Sequence, residues 1–312
     1  MLTGVIRLNP YTMPHKESYD RHNEWYNKHF PSEQSKTDMY KKIRHADKHN
    51  VSSWLQNIFF SCLEPLLDSK DKNWLTVGDA YGFDAQHILS SNNMAMATDL
   101  NTDFLNVAVK EGIVSVCAAE NAEKLTFEDE RFDYVLCKES YHHFPRPYAA
   151  VYEMLRVAKI AVVIIEPQDP VARMPLLLLI NNLLANNVRL LNKIWKNRFS
   201  YEPVGNFVYK VSEREFEKLA AGLGLKMVAF KKINPNFWFK GAESIPTSNK
   251  NRKFLFIRLK RIVLDILVSL KIIPSQVLAS IIFKQAPDDD TIDLLRRSGY
   301  RLVNIPVNPY LS

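Results

Sequence analysis

Glycine is scarce in this chain: 9 of 312 residues, about 3%, against ~7% in an average protein. Chains that bind nucleotides ordinarily place several glycines in a phosphate or ribose loop, so a loop crowded with glycine is excluded and each glycine position becomes informative. Cysteine is scarcer still. Cys62, Cys117 and Cys137 are too few and too scattered for a disulfide framework or a zinc cluster, and two of them sit in apolar runs. They read as reduced core residues of a cytoplasmic protein. The opening MLTGVIRLNPYTMP lacks the charged-then-apolar order of a secretion signal. Long apolar runs are missing as well. The leucine-rich stretch Met174–Trp195 is interrupted by Asn181, Asn182, Asn186 and Asn187, which argues against a membrane span of ~20 apolar residues. Apolar residues at 46% and charged residues at 24% exclude wholesale disorder, and no internal repeat is present. Acidic residues run short in the second half. Residues 1–185 hold 19 Lys+Arg against 24 Asp+Glu, whereas residues 186–312 hold 22 against 10. That basic surplus points to an anionic partner. No recognised nucleic-acid module accompanies it, which argues against nucleic acid.

What is present is an alternation of strand and helix patterns. Residues 1–72 read as a polar, mostly helical region. Within it, Trp54, Leu55, Ile58, Phe59, Leu63 and Leu66 recur at the three-to-four spacing of one buried helix face. From residue 73 to about 170, short apolar strands (Trp74–Val77, Met94–Thr98, Ile113–Cys117, Phe132–Cys137 and Ile160–Ile165) alternate with helices at Asp84–Leu89, Asn101–Glu111 and Pro147–Lys159. This alternation predicts a doubly wound parallel α/β sheet. Beyond residue 171 the texture changes to helical insertions. Further strands are expected at about 225–232 and 277–284. Ser212 and Glu215 have the spacing of a capping box at the head of a helix. A helix at Thr291–Ser298 and a strand at Tyr300–Ile305 close the chain. Asn251–Ile273 reads as a basic amphipathic helix, with Leu255, Leu259, Ile262, Ile266 and Leu270 on its apolar face and Arg252, Lys253, Arg258, Lys260 and Arg261 ahead of its first acid, Asp265. That face either packs on the protein, leaving the cations solvated, or lies on an anionic membrane surface.

The strongest chemical signal is Val77-Gly78-Asp79-Ala80-Tyr81-Gly82, directly after the first strand. A glycine at the strand end allows a tight turn, and a second lets backbone approach a ligand at a helix N-terminus. Alone, the spacing also fits a plain strand-to-helix turn. Asp99 ends the second strand, where an acid can accept both ribose hydroxyls of a nucleotide or simply cap the next helix. Glu120-Asn121-Ala122-Glu123 follows the third strand. Cys137-Lys138-Glu139-Ser140-Tyr141-His142-His143-Phe144 runs off the fourth.

In this order the pieces VGDAYG, TDL, ENAEKLTF, FDYVLCKESYHHF and YEMLRVAK resemble the class I methyltransferases that use S-adenosylmethionine, across about residues 74–166. The phrases WLTVGD and CKESYHHFPRP are similar to a bacterial subgroup associated with surface-polysaccharide pathways. The resemblance implies a seven-stranded Rossmann-like sheet whose last strand is antiparallel and lies between the fifth and sixth. It also implies an N-terminal helical cap and a helical insertion. Gly78, Ala80 and Gly82 would form the turn under the cofactor. Asp99 would take the ribose hydroxyls, with Leu100 against the adenine and Asn121 and Ala122 at its edge. Lys138 and Glu139 would line the transfer cleft. The chain departs from the family pattern at Thr76, where an acid is usual, at Ala80 and Asn121, and in lacking a glycine turn before the fifth strand. Asp79 could compensate for Thr76 by accepting from the cofactor's amino group.

Methyl transfer often uses a base, and His142, His143 and Glu139 are the candidates. Each histidine also has a purely structural reading, as a packed or hydrogen-bonded ring. His45 and His49 would share a helix face, but Ala46 replaces the acid of the protease pattern, so no metal is expected there. The reading that emerges is methyl transfer to a hydroxyl or amino group of a small or medium acceptor: a sugar, a glycan or a lipid-linked precursor. The alternative is a non-catalytic cofactor-binding module that docks on a membrane or an enzyme through its basic half.

Overall fold

Strands rich in Val, Ile and Ala without polar alternation belong in a sheet covered on both faces. The computed structural model, which describes residues 15–45, 49–195, 198–202 and 207–310, contains such a sheet. Its strands are β1 (Asn73–Val77), β2 (Met94–Asp99), β3 (Cys117–Ala119), β4 (Phe132–Lys138), β5 (Ala158–Pro167), β6 (Met227–Ile233), β7 (Val277–Phe283) and β8 (Arg301–Asn304). Their spatial order is β3-β2-β1-β4-β5-β7-β6-β8. The first five are mutually parallel. β7 runs antiparallel between β5 and β6, as the resemblance implies. The sheet has eight strands rather than seven, because the C-terminal strand adds antiparallel to the outer edge of β6.

The helices are α1 (His15–His29), α2 (Glu33–His45), α3 (Val51–Phe60), α4 (Glu64–Leu67), α5 (Phe83–Leu89), α6 (Asp103–Lys110), α7 (Pro147–Val157), α8 (Pro175–Leu183), α9 (Val188–Ile194), α10 (Glu213–Gly222), α11 (Arg252–Ser269) and α12 (Asp289–Arg297). The two faces of the sheet carry separate cores. One joins Trp74, Leu136, Val163 and Ile281 to α3 and α5, and the other joins Leu75, Val135, Ile164 and Ile282 to α7 and α10. The capping box is present: Ser212 accepts from the Glu215 N–H, and Glu215 accepts from the Ser212 N–H.

Several boundaries differ from the sequence reading. The third strand is Cys117–Ala119, not Ile113–Cys117, because Ile113 and Val114 are buried against α6 before the chain reaches β2. α6 begins at Asp103 rather than Asn101. Asp99 accepts from the Asn101 N–H and Asn101 from the Asp103 N–H, and these local turns hold 99–102 outside the helix. α7 passes into β5 at Ala158 without a loop, which explains how the chain dispenses with a glycine there. The asparagines split Met174–Trp195 into α8 and α9, with Asn187 capping the second. The opening residues 1–14 lie outside the described residues. Ala46 also lies outside the described residues; α2 ends at His45, and His49 stands outside that helix, just before α3.

Candidate active site

Strand order reverses between β1 and β4, and in open α/β sheets ligands sit at the carboxyl ends of strands at such a reversal. A cleft of about 480 Å³ lies there. The turn beneath it depends on two glycines. Gly78 has φ +71°, and a Cβ there would lie 2.5 Å from Ser140 Cβ. Gly82 has φ +75°, and a Cβ would lie 2.9 Å from Val114 Cγ1. Both glycines therefore admit neighbouring protein segments. Gly78, Asp79, Ala80, Asp99, Leu100, Asn121, Ala122 and Lys138 line the cleft, whereas Gly82 does not.

Asp79 and Thr76, weighed as alternatives from the sequence, form one unit. Thr76 Oγ1 donates to Asp79 Oδ2 at 3.0 Å, and the same carboxylate accepts from the Ala85 N–H at 2.9 Å at the head of α5. Burial foremost, then the neighbouring Asp84, pushes Asp79 up to about 7. Asp99 spends one oxygen on the Asn101 N–H and is pushed up to about 6, chiefly by burial. Asn121 accepts from the Glu123 N–H, and Glu120 accepts from Thr126. Lys138 lies 3.2 Å from Asp84 and near the rings of Phe59 and Phe60. Burial opposes its charge, but Asp84 and Glu139 outweigh burial and hold Lys138 above its ordinary value.

Past β4, the buried Glu166 of β5 organises the turn. It accepts from the backbone N–H groups of Ser140 and Tyr141, both at 2.7 Å, and contacts His142 Nδ1 at 2.5 Å. Burial alone would lower His142, yet Glu166 outweighs it and His142 is raised. His143 Nδ1 lies 2.7 Å from Glu202, which is also 3.7 Å from His142 Nε2. Of the three base candidates, Glu139 and His143 line the cleft and His142 does not; its ring centroid lies 4.0 Å from that of His143. Glu139 takes a positive φ of 52° and is raised, burial first. His142, His143 and Glu202 bring ligand atoms within 4.8 Å of one another, the one such group found among the described residues.

Residues 75–165 match the family model described as "Methyltransferase domain". This segment is a methyltransferase domain. Its sheet has the strand order that the class I resemblance implies. No curated protein matches the chain. Among solved structures, the chain is similar to a 1,6-didemethyltoxoflavin-N1-methyltransferase from Burkholderia thailandensis, crystallised with bound 1,6-didemethyltoxoflavin and S-adenosylhomocysteine. That match has 12% identity, covers 89% of this chain and 92% of that one, and has a TM-score of 0.50. A SAM-dependent methyltransferase from Archaeoglobus fulgidus matches at 15% identity, 84% and 99% coverage and a TM-score of 0.44. A SAM-dependent methyltransferase from Methanosarcina mazei matches at 14% identity, 70% and 95% coverage and a TM-score of 0.42.

The cleft of this methyltransferase domain suits a cationic, hydroxyl-rich cofactor by its donor set. Asp79, Asp84, Asp99, Glu120 and Glu139 line it, with Lys138 as the only lysine or arginine in the lining. Two motifs that carry the resemblance act structurally. Arg156 of YEMLRVAK donates to the carbonyls of Leu125 and Phe127, and Glu123 of ENAEKLTF pairs with Arg146. Three sets of site residues escaped the sequence reading. The cap contributes Asn23, Tyr26, Gln56 and Phe60. Glu166 was visible only as the acid ending an apolar strand. Glu202 carries no local signal at all.

Proposed function

We propose that this protein transfers a methyl group from S-adenosylmethionine to a hydroxyl or amino group of a small acceptor, with a sugar, glycan or lipid-linked precursor as the favoured class. The observation that supports this most is the pairing of an acidic cofactor cleft with a histidine backed by a carboxylate. Gly78, Asp79, Ala80, Asp99, Leu100, Asn121 and Ala122 would hold the cofactor. When bound, it supplies a methyl on an electron-poor sulfur. His143 would take the proton from the acceptor as its oxygen or nitrogen bonds the methyl carbon, the carbon–sulfur bond breaking with its electron pair left on sulfur. Glu202 beside it stabilises the imidazolium that results. His142, fixed by Glu166, stands behind Glu202. Aromatic rings (Tyr26, Phe60, Tyr81) and amides (Asn23, Gln56, Asn101) share the cleft wall, a combination suited to the apolar faces and hydroxyl edges of a sugar.

The rival reading is a non-catalytic module. It would be favoured by a cleft filled by Phe144 or by side chains from residues 170–200; Phe144 lines the cleft wall, and no described residue of 170–200 does. Calorimetry with S-adenosylhomocysteine tests cofactor binding, and micromolar affinity is expected. Transfer of labelled methyl is then measured on a panel of free sugars, nucleotide sugars and polyprenyl-linked saccharides. His143→Gln should lower kcat about 100-fold or more with little change in KM. Absence of micromolar binding, or full activity in His143→Gln, overturns the reading.

A further inference from the structure

α11 buries only a narrow stripe, Phe254, Ile257 and Val268. At 100° per residue, the opposite side of this helix carries Leu255, Phe256, Leu259, Ile262, Val263 and Ile266 across about 120° of its circumference. All six are exposed, Phe256 at 68% and Leu259 at 59%. The apolar face read from the sequence therefore does not pack on the protein. Leu270 and Ile272 prolong it beyond the helix end, and Trp238, 64% exposed, stands with Phe239 beside Phe256 in a shallow groove of about 620 Å³. An exposed apolar patch of this kind marks an interaction surface.

The charges around it identify the partner. Arg252, Lys253, Arg258 and Lys260 are placed along and around the apolar face. Asp265 is the only acid between residues 244 and 287, and it is taken up by Arg261 and Asn234. Lysine is depleted in the core of protein–protein interfaces, whereas basic residues flanking an apolar helix face suit a layer of anions over hydrocarbon. Exposed Trp and Phe suit the headgroup boundary of such a layer. No described helix is long and apolar enough to cross a membrane.

We infer that α11 and the adjoining Trp238–Phe239 segment dock the protein on an anionic phospholipid surface, lying in its plane. The inference does not depend on the methyl-transfer reading. It does connect to the cleft: Trp54 of α3 packs edge-on against Phe254 and under Arg261, while Gln56 and Phe60 of the same helix line the cleft wall. Docking would thus fix the orientation of the cap relative to the lipid plane.

Flotation of the full chain with vesicles of phosphatidylcholine alone, and of phosphatidylcholine mixed with phosphatidylglycerol, tests this. The protein should float with the anionic vesicles only, and high salt should weaken it. Arg258→Gln and Lys260→Gln should each lower partitioning about fivefold. Leu259→Ser with Ile266→Ser should abolish it while circular dichroism and S-adenosylhomocysteine affinity stay unchanged. Tryptophan emission should shift to the blue on anionic vesicles, and Trp238→Phe should remove the shift. Failure to float, equal flotation on neutral vesicles, or flotation kept by the double serine variant overturns the inference. So does a concentration-dependent dimer in sedimentation that the double variant loses, since a second copy would then cover the face.

Discussion

At the scale of single residues, the carboxylates of the cleft carry the sharpest consequences. Asp99 is held at about 6, above the ~3.9 of an unfolded chain. The folded protein keeps that proton longer, so this residue's contribution to stability is greatest below the unfolded value and declines as pH rises to about 6. Cofactor binding runs the opposite way. A carboxylate accepts two ribose hydroxyls, whereas a protonated acid has one oxygen committed as a donor. Affinity for S-adenosylhomocysteine should be full above pH 6 and fall below it, by at most about tenfold per pH unit for one linked proton. Calorimetry from pH 7.5 to pH 5 should show that slope, and Asp99→Asn should bind weakly with no slope from this site. An equal slope in the variant would assign the proton elsewhere, with Asp79 the next candidate. Gly78 teaches a different lesson at the same scale. Its position was plain in the sequence, but its reason was not, because only the fold brings Ser140 within 2.5 Å of where its Cβ would be.

At the scale of elements, the join between β4, β5 and the turn that follows β4 is the feature to test. One buried carboxylate, Glu166, satisfies two backbone N–H groups and a histidine. Removing it as Glu166→Ala leaves buried donors without an acceptor and should cost roughly 3–5 kcal/mol in urea unfolding. Glu166→Gln keeps the shape and loses the charge that outweighs burial at His142. The His142 imidazole should then titrate at lower pH in an NMR titration, with a His142→Gln blank making the assignment. An unchanged midpoint would show that Glu166 holds backbone only. Elements also mark the limit of what a sequence displays. Periodicity located β1, β2, β4, β5 and β7 because each is a dense apolar run in a buried sheet. It misplaced β3, since Ile113 and Val114 are equally apolar but are buried by packing on α6 rather than by strand pairing. Glu202 was invisible because it reaches the histidines from a segment about sixty residues downstream, with no pattern of its own.

At the scale of the whole molecule, a chain of net charge +7 holds an acidic cleft. The two facts are compatible because the surplus of cations belongs to the second half, while the cleft is built from the first. Which of them a cofactor senses is decided by distance. Salt at 0.1 M screens exposed charges beyond about 10 Å, whereas charges set in a low-dielectric cleft are screened much less. S-adenosylmethionine carries one positive charge more than S-adenosylhomocysteine, at the sulfur, and is otherwise nearly the same shape. If the cleft carboxylates set the local potential, the methylated form should associate faster than the demethylated one at low salt, and the advantage should shrink as salt rises. If the distant basic half dominated, the order at low salt would reverse. Stopped-flow association of both ligands against sodium chloride distinguishes these outcomes. We expect the association rate of S-adenosylmethionine to fall by about threefold to tenfold between low and high salt, with that of S-adenosylhomocysteine nearly flat. Parallel curves for the two ligands would mean that the five carboxylates are neutralised locally, by Lys138 and by protons on Asp79 and Asp99, and that they contribute hydrogen bonds rather than field.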